Sequence, residues 1–125
     1  MPEKVNLADK LAQVTEDWVP TVVAELNGQQ VKVVRFAGEY VWHHHDREDE
    51  MFFVLRGQVR ICFREEDGGD VEIGPGECCV VPHGVEHKPV ADSQAEVVLF
   101  EPATTRNTGN VDHDLTIEPD RLQHI

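Results

Sequence analysis

Four side chains carry the chemistry this sequence offers: His43, His45, Glu50 and His87. Three imidazoles and a carboxylate suit Fe, Mn, Ni, Co or Zn, and the absence of a thiolate argues against a soft-metal site. The first three lie in the run Trp42-His43-His44-His45-Asp46-Arg47-Glu48-Asp49-Glu50. In an extended chain successive side chains point to opposite faces, so His43 and His45 share one face and His44 points away. A charged turn then delivers Glu50 onto the next strand, close enough across the pair for one ion to bridge all three. His87 comes from a second segment, Gly76 to His87, whose Pro82-His83-Gly84 turn can aim it back at the others. One divalent transition metal per chain is therefore expected. Four protein ligands on an octahedral ion leave two positions for water, substrate or dioxygen, whereas zinc can also be closed off tetrahedrally as a structural ion.

The other reactive-looking residues read as ordinary surface or core. His83 lies in a turn, and His113 and His124 lie in a polar tail. Asp46, Glu48 and Asp49 read as a solvated loop, with Arg47 paired locally. Cys62, Cys78 and Cys79 form no C-x-x-C pair, and adjacent cysteines do not readily bond each other. Three free thiols fit a reducing cytoplasm. No Ser-His-Asp or nucleophilic cysteine arrangement is visible, so a metal would carry any reaction.

The elements that position the four ligands are short strands. Thr21 to Glu101 breaks into about nine extended runs at regular spacing, separated by turn signals such as Asn27-Gly28, Asp67-Gly68-Gly69 and Gly74-Pro75-Gly76. No long helix interrupts them, which excludes a βαβ architecture and leaves an all-β sandwich or barrel. Ahead of them, Leu7, Leu11, Val14 and Trp18 recur at helical spacing, with Asn6 as N-cap and Pro20 as the stop. The tail from Ala103 onward is polar and is expected to wrap the barrel or hang loosely. Strand parity with Glu50 and His43 places Phe52, Val54 and Val41 inside, giving a mostly apolar chamber beside the metal, suited to a small molecule.

The pattern H-x-H-x(4)-E-x(6)-G is met by His43, His45, Glu50 and Gly57, and G-x(5)-P-x-G-x(2)-H by Gly76, Pro82, Gly84 and His87. Together they closely resemble the two motifs of the cupin superfamily. The resemblance is to its small single-domain, type 2 members, the RmlC-like proteins grouped loosely with mannose-6-phosphate isomerase. That label is a naming habit and carries no sugar chemistry with it. Two departures fall outside the ligand positions: Gly38 stands one residue closer to the first histidine than usual, and Ala91 occupies a place where Asn is common. The resemblance implies a cupin-type double-stranded β-helix, a jelly-roll barrel with a short N-terminal helix, and a site of three histidines and one glutamate. It also favours homodimers. Residues 1–125 are expected to form one domain, with an arm (1–20), a barrel (21–102) and a tail (103–125).

Composition narrows the partners. Twenty-four acids against 11 bases give a formal charge of -13, which repels phosphate backbones, so neither nucleic acid nor an anionic membrane is expected. The opening MPEKVNLADK has no apolar core of a secretory signal, and no apolar run approaches the roughly 20 residues of a membrane span. The expectation is a cytoplasmic protein. Its function reads as that of a metal-dependent enzyme acting on a small organic substrate that coordinates the ion, of dioxygenase, isomerase or lyase type. Glu50 would serve as ligand and, in addition, as a candidate base. The alternative is a non-catalytic small-ligand or metal-binding module with a structural metal. Parity turns Tyr40, Trp42, His44, Met51, Phe53 and Leu55 outward, a patch larger than soluble monomers usually leave bare. Either the N-terminal helix or a second subunit must cover it, and a homodimer with Trp42 and Phe53 near its interface is expected.

Overall fold

The computed structural model describes residues 2–125. Seven strands form one antiparallel, folded-over sheet. Strands β1 (Thr21–Leu26) and β2 (Gln29–Glu39) make a hairpin on Asn27-Gly28. Both turn residues have positive φ (51° and 76°), the conformation that Asn-Gly tolerates and that matches the twist of a hairpin. The longest strand, β7 (His87–Pro102), holds the sheet together. One of its edges pairs with β2 from Gln29 opposite Pro102 to Glu39 opposite Val90, with an irregularity between Phe36 and Gly38. Its other edge is shared: β3 (Glu50–Arg56) takes the stretch around Val97–Phe100, and β4 (Val59–Phe63) takes His87–Val90. Strand β5 (Val71–Ile73) continues from β4, and β6 (Cys78–Val81) from β3.

Seven strands replace the nine runs expected from the sequence. The runs around His87–Val90 and Ala95–Pro102 are one strand, because the exposed Asp92-Ser93-Gln94 between them contains no Gly or Pro to break extended backbone. Residues 40–49 are not a ladder strand. They touch β7 through a bond from the Tyr40 amide to Pro89 O and through one bridge, His43 with His87, whose backbone groups exchange hydrogen bonds at 2.9 and 3.0 Å.

The helix is also shorter than its periodicity suggested. Helix α1 spans Leu7–Leu11, with Asn6 Oδ1 accepting from the Asp9 amide at 3.0 Å as its cap. It stops because the Arg35 guanidinium takes the carbonyls of Leu11 (2.6 Å) and Val14 (2.8 Å) that a longer helix would use itself. Trp18 therefore does not share a helix face with Leu11 and Val14. Its φ of 65° turns the chain, and its ring enters the barrel core.

Alternation along the strands sorts two apolar layers. Val34, Phe36, Phe52, Val54, Val97 and Leu99 face inward to the main core. Val33, Phe53, Leu55 and Val98 face outward, where Leu7, Leu11, Val14 and Ile125 cover them. The arm thus covers much of the outer patch within the chain. Tyr40 does not belong to that patch: it packs inward against the core, because residues 40–42 lie off the ladder and do not keep strand parity. Trp42 is half-buried beneath the Arg64 guanidinium, 3.7 Å above its ring. No helix among the described residues is long and apolar enough to cross a membrane.

Candidate metal centre

The backbone of residues 40–45 has no regular partner strand, so its polar groups are satisfied one at a time. The Tyr40 amide donates to Pro89 O (2.9 Å), and the His44 amide donates to Asn110 Oδ1 (2.9 Å). The His44 carbonyl accepts from the Asn110 amide (3.1 Å) and the His45 carbonyl from the Gly84 amide (2.8 Å). The tail thus holds the histidine segment in place instead of hanging loosely. At Gly109 (φ 56°) an added Cβ would fall 2.2 Å from His44 O and 3.1 Å from His43 Cδ2, so only glycine lets the tail approach this closely. Nothing in the polar composition of the tail marks this role, although the Asn107-Thr108-Gly109-Asn110 turn cluster is its visible trace.

The structure brings His43, His45, Glu50 and His87 together. All four are buried, and one ligand atom from each lies within 4.8 Å of the others. Glu50 opens β3 and His87 opens β7, so both stand where regular backbone begins. Asp49 Oδ1 accepts from the His83 amide at 2.8 Å and ties the loop before Glu50 to the loop before His87.

The donor set fits a cation. Nδ1 of His43 and Nδ1 of His87 each lie 2.9 Å from a backbone carbonyl, those of Val41 and Val85. A carbonyl only accepts, so each Nδ1 carries the proton and each Nε2 offers a lone pair. Nε2 of His87 and Nε2 of His45 both stand 3.3 Å from Glu50 Oε1. A cation held between these two nitrogens and the carboxylate would satisfy all three groups. His45 Nε2 lacks hydrogen-bond geometry despite the short distance and is left without a partner. Burial, with His87 close by, lowers the pKa of His43 to about 3, so its ring is neutral and free to ligate. Burial opposes ionisation of Glu50, but His45, His87 and Glu101 outweigh it and hold the carboxyl well below its usual range.

A small cavity of about 20 Å³ adjoins the centre. Its polar edge is His43, Glu50 and Asn107, and its walls include Trp18, Phe36, Tyr40 and Phe52. Trp18 stacks on Phe36 (4.4 Å) and on Tyr40 (4.6 Å), and its Nε1 donates to Ala37 O at 2.8 Å. Of the three side chains expected to line the chamber, Phe52 does. Val54 is buried in the main core and is not part of the lining. Val41 contributes its carbonyl to His43, while the neighbouring Tyr40 supplies the wall. His44 points away, its Nε2 2.8 Å from Asp46 Oδ1, and His83 is exposed beside Asp49. Arg47 has no ion-pair partner among the described residues.

Two residues escaped the sequence reading. Lys32 and Glu101 are fully buried, and Nζ donates to Glu101 Oε1 at 2.7 Å. Their signal was parity: Gln30, Lys32 and Val34 alternate onto one face, and that face is the inside.

The sequence matches the Cupin domain family over residues 27–102. It is 30% identical over 111 residues to the uncharacterized protein YdbB of Bacillus subtilis (strain 168), covering 81% of this chain and 96% of that one. The fold is similar to a cupin-2 domain containing protein from Shewanella frigidimarina NCIMB 400, with a TM-score of 0.74, 40% identity, and coverage of 78% of this chain and 93% of the other. It also resembles the hydroquinone 1,2-dioxygenase PnpCD, solved with Cd2+ and 4-hydroxybenzonitrile. There the TM-score is 0.66 at 21% identity, over 78% of this chain and 71% of that one, a likeness of fold alone. With the family matched over most of its length and the histidines and glutamate of both motifs folded onto one point, the chain belongs to the cupin family.

Proposed function

We propose that the protein is a metal-dependent enzyme. One divalent transition metal, held by His43, His45, Glu50 and His87, would act on a small organic substrate that coordinates it, by dioxygenase, isomerase or lyase chemistry. The observation that carries this is the convergence of four buried ligand atoms on the polar edge of an aromatic-walled chamber. When bound, the metal supplies Lewis acidity toward an oxygen of the substrate. The chain does the rest. His43 and His87 are locked by their backbone hydrogen bonds with Nε2 facing the site. Trp18, Phe36, Tyr40 and Phe52 exclude water, and Glu50 is the carboxylate placed to take a proton from a substrate in the chamber. No lysine or arginine lines the chamber, which favours a neutral, flat, oxygen-bearing substrate over a phosphate or carboxylate. A dioxygenase of this fold binds 4-hydroxybenzonitrile together with Cd2+, a ligand of that character. Admitting a ring requires Trp18 or Tyr40 to move, since the cavity holds little more than one water.

That tightness supports a second reading, a structural metal in a non-catalytic module. Metal analysis of protein purified without added metal, followed by oxygen uptake with simple phenols and diols, separates them. Iron or manganese with uptake supports the enzyme. Zinc that resists chelators, with no turnover, supports the structural ion. Protein that carries no transition metal and takes none up overturns both. The three free thiols support a cytoplasmic location.

We also infer a homodimer. Its support is the apolar surface that the arm leaves bare, above all Val80, 57% exposed on the edge strand β6. Light scattering tests it: twice 14.1 kDa is expected at micromolar concentration, and a 14.1 kDa species would defeat it.

A further inference from the structure

His43 and His45 reach the metal centre from a stretch of chain without a regular partner strand, and the backbone of each residue there is held by a different segment. His43 exchanges bonds with His87 (2.9 and 3.0 Å), and the His45 carbonyl accepts from the Gly84 amide (2.8 Å). His44, between them, is held by the tail. Its amide donates to Asn110 Oδ1 (2.9 Å), and its carbonyl accepts from the Asn110 amide (3.1 Å). That amide and that carbonyl belong to the two planar peptide groups that join His43 to His44 and His44 to His45. Fixing both planes fixes the direction in which each neighbouring side chain leaves the chain. It thereby sets the two imidazoles edge to face, with ring centroids 5.0 Å apart.

We propose that Gly109 and Asn110 are positioning residues for the metal centre: the tail clamps the peptide groups on both sides of His44 and through them sets His43 and His45 for ligation. This rests on the metal site proposed above. The clamp is itself braced. The Arg106 guanidinium donates to Gly109 O (3.1 Å) and Val111 O (3.2 Å), on either side of Asn110, and pairs with Asp112 and Glu118. Thr108, fully buried, bonds Val111 O (2.7 Å) and Thr116 Oγ1 (2.6 Å). Gly109 approaches so closely that a Cβ there would fall 2.2 Å from His44 O. The matched family domain ends at residue 102, so the clamp lies outside it. A backbone residue released from such a clamp must be ordered again when the ion binds, which costs about 5- to 30-fold in affinity.

In the test, metal-free protein is titrated with Co2+ under chelator competition, and its visible bands are recorded. Gly109→Ala, which drives the tail off His44, is expected to bind Co2+ about 5- to 30-fold more weakly and to show shifted bands. Asn110→Ala keeps the backbone bond and loses only the side-chain acceptor, so its affinity should fall by about 3- to 10-fold. Asn110→Asp again offers an oxygen to the His44 amide and should restore the wild-type affinity and bands. Asp112→Ala removes one partner of Arg106 in the same tail without touching the histidine segment, and it should also bind as wild type does. If Gly109→Ala fails to fold, the variants at the exposed residues Asn110 and Asp112 decide. Wild-type affinity and bands in Asn110→Ala would overturn the proposal while leaving the metal site standing. A loss in Asn110→Asp or Asp112→Ala equal to that in Asn110→Ala would do the same. Wild type that takes up no Co2+ would defeat the metal site, and the clamp's role with it.

Discussion

The barrel interior has two parts built on different principles. Around Val54, Val59, Ile61, Ala95 and Val97 every side chain is apolar and fully buried, and every strand is ladder-paired. Around His43, His45, Glu50, His87, Lys32 and Glu101 the burial is as complete, yet each side chain is polar or ionisable. The first part is stabilised by area, at about 1.5–3 kcal/mol for each buried Val or Ile. The second part costs desolvation that only specific partners offset. Residues in the first part are interchangeable within their volume. Those in the second hold fixed places, and the backbone that carries His43 and His45 is pinned by separate bonds to β7, to the Pro82–Gly84 turn and to Asn110. The difference teaches that stability and chemistry are separable in this molecule, and substitutions can test that separation.

The largest separation is expected from His45→Ala. It should remove bound metal almost wholly, because water replaces a buried imidazole poorly, while leaving the apolar part and its far-UV spectrum intact. Metal content by mass spectrometry checks it, and a full complement of metal in the variant would break the comparison. Ile61→Ala is the converse. It removes a fully buried side chain from β4 and should cost about 2–5 kcal/mol of unfolding free energy. Metal stoichiometry below the lowered melting transition should not change. A loss of metal in the folded Ile61→Ala protein would show the two parts to be coupled.

Glu50→Gln should act between these extremes. The amide keeps one weak oxygen donor but loses the charge that His45, His87 and Glu101 hold in place. Affinity should fall less than in His45→Ala, by about 10- to 100-fold, and any turnover should vanish. Chelator competition gives the first quantity. Full turnover with the amide present would show that the carboxylate is not a working part of the site.

The same division decides what the sequence reveals. The four-residue cluster was legible because His43, His45, Glu50 and His87 are chemically unlike the apolar strands around them. Strand existence was legible from alternation and from Asn27-Gly28. The path of residues 40–49 was not, since their partners are single bonds to distant segments, among them Asn110, that leave no periodic trace. Trp18 was placed on a helix face by spacing alone. Its real position follows from Arg35, a contact 17 positions further along the chain that no local pattern encodes. Lys32 and Glu101 were hidden because a charged residue in a strand is ordinarily read as facing solvent.

The smallest effect is expected from His44→Ala, and it tests why parity succeeded at that one residue. The reading that turned His44 away assumed an extended strand, whereas residues 40–45 meet β7 only through the His43 bridge and one bond from the Tyr40 amide to Pro89. Tyr40 shows that the assumption fails nearby, because it packs inward where parity turned it out. At His44 the direction is fixed by something else. Its amide and carbonyl both bond Asn110, which turns the residue toward the tail and leaves its ring against Asp46. That ring is 30% exposed and Asp46 is 79% exposed, so the pair is solvent-screened and worth about 0–1 kcal/mol. The substitution keeps the backbone bonds to Asn110. Metal content should therefore stay at the wild-type level and the melting temperature should move by only a few degrees. Loss of metal equal to that of His45→Ala would mean that the ring of His44, and not its backbone, holds the segment in place.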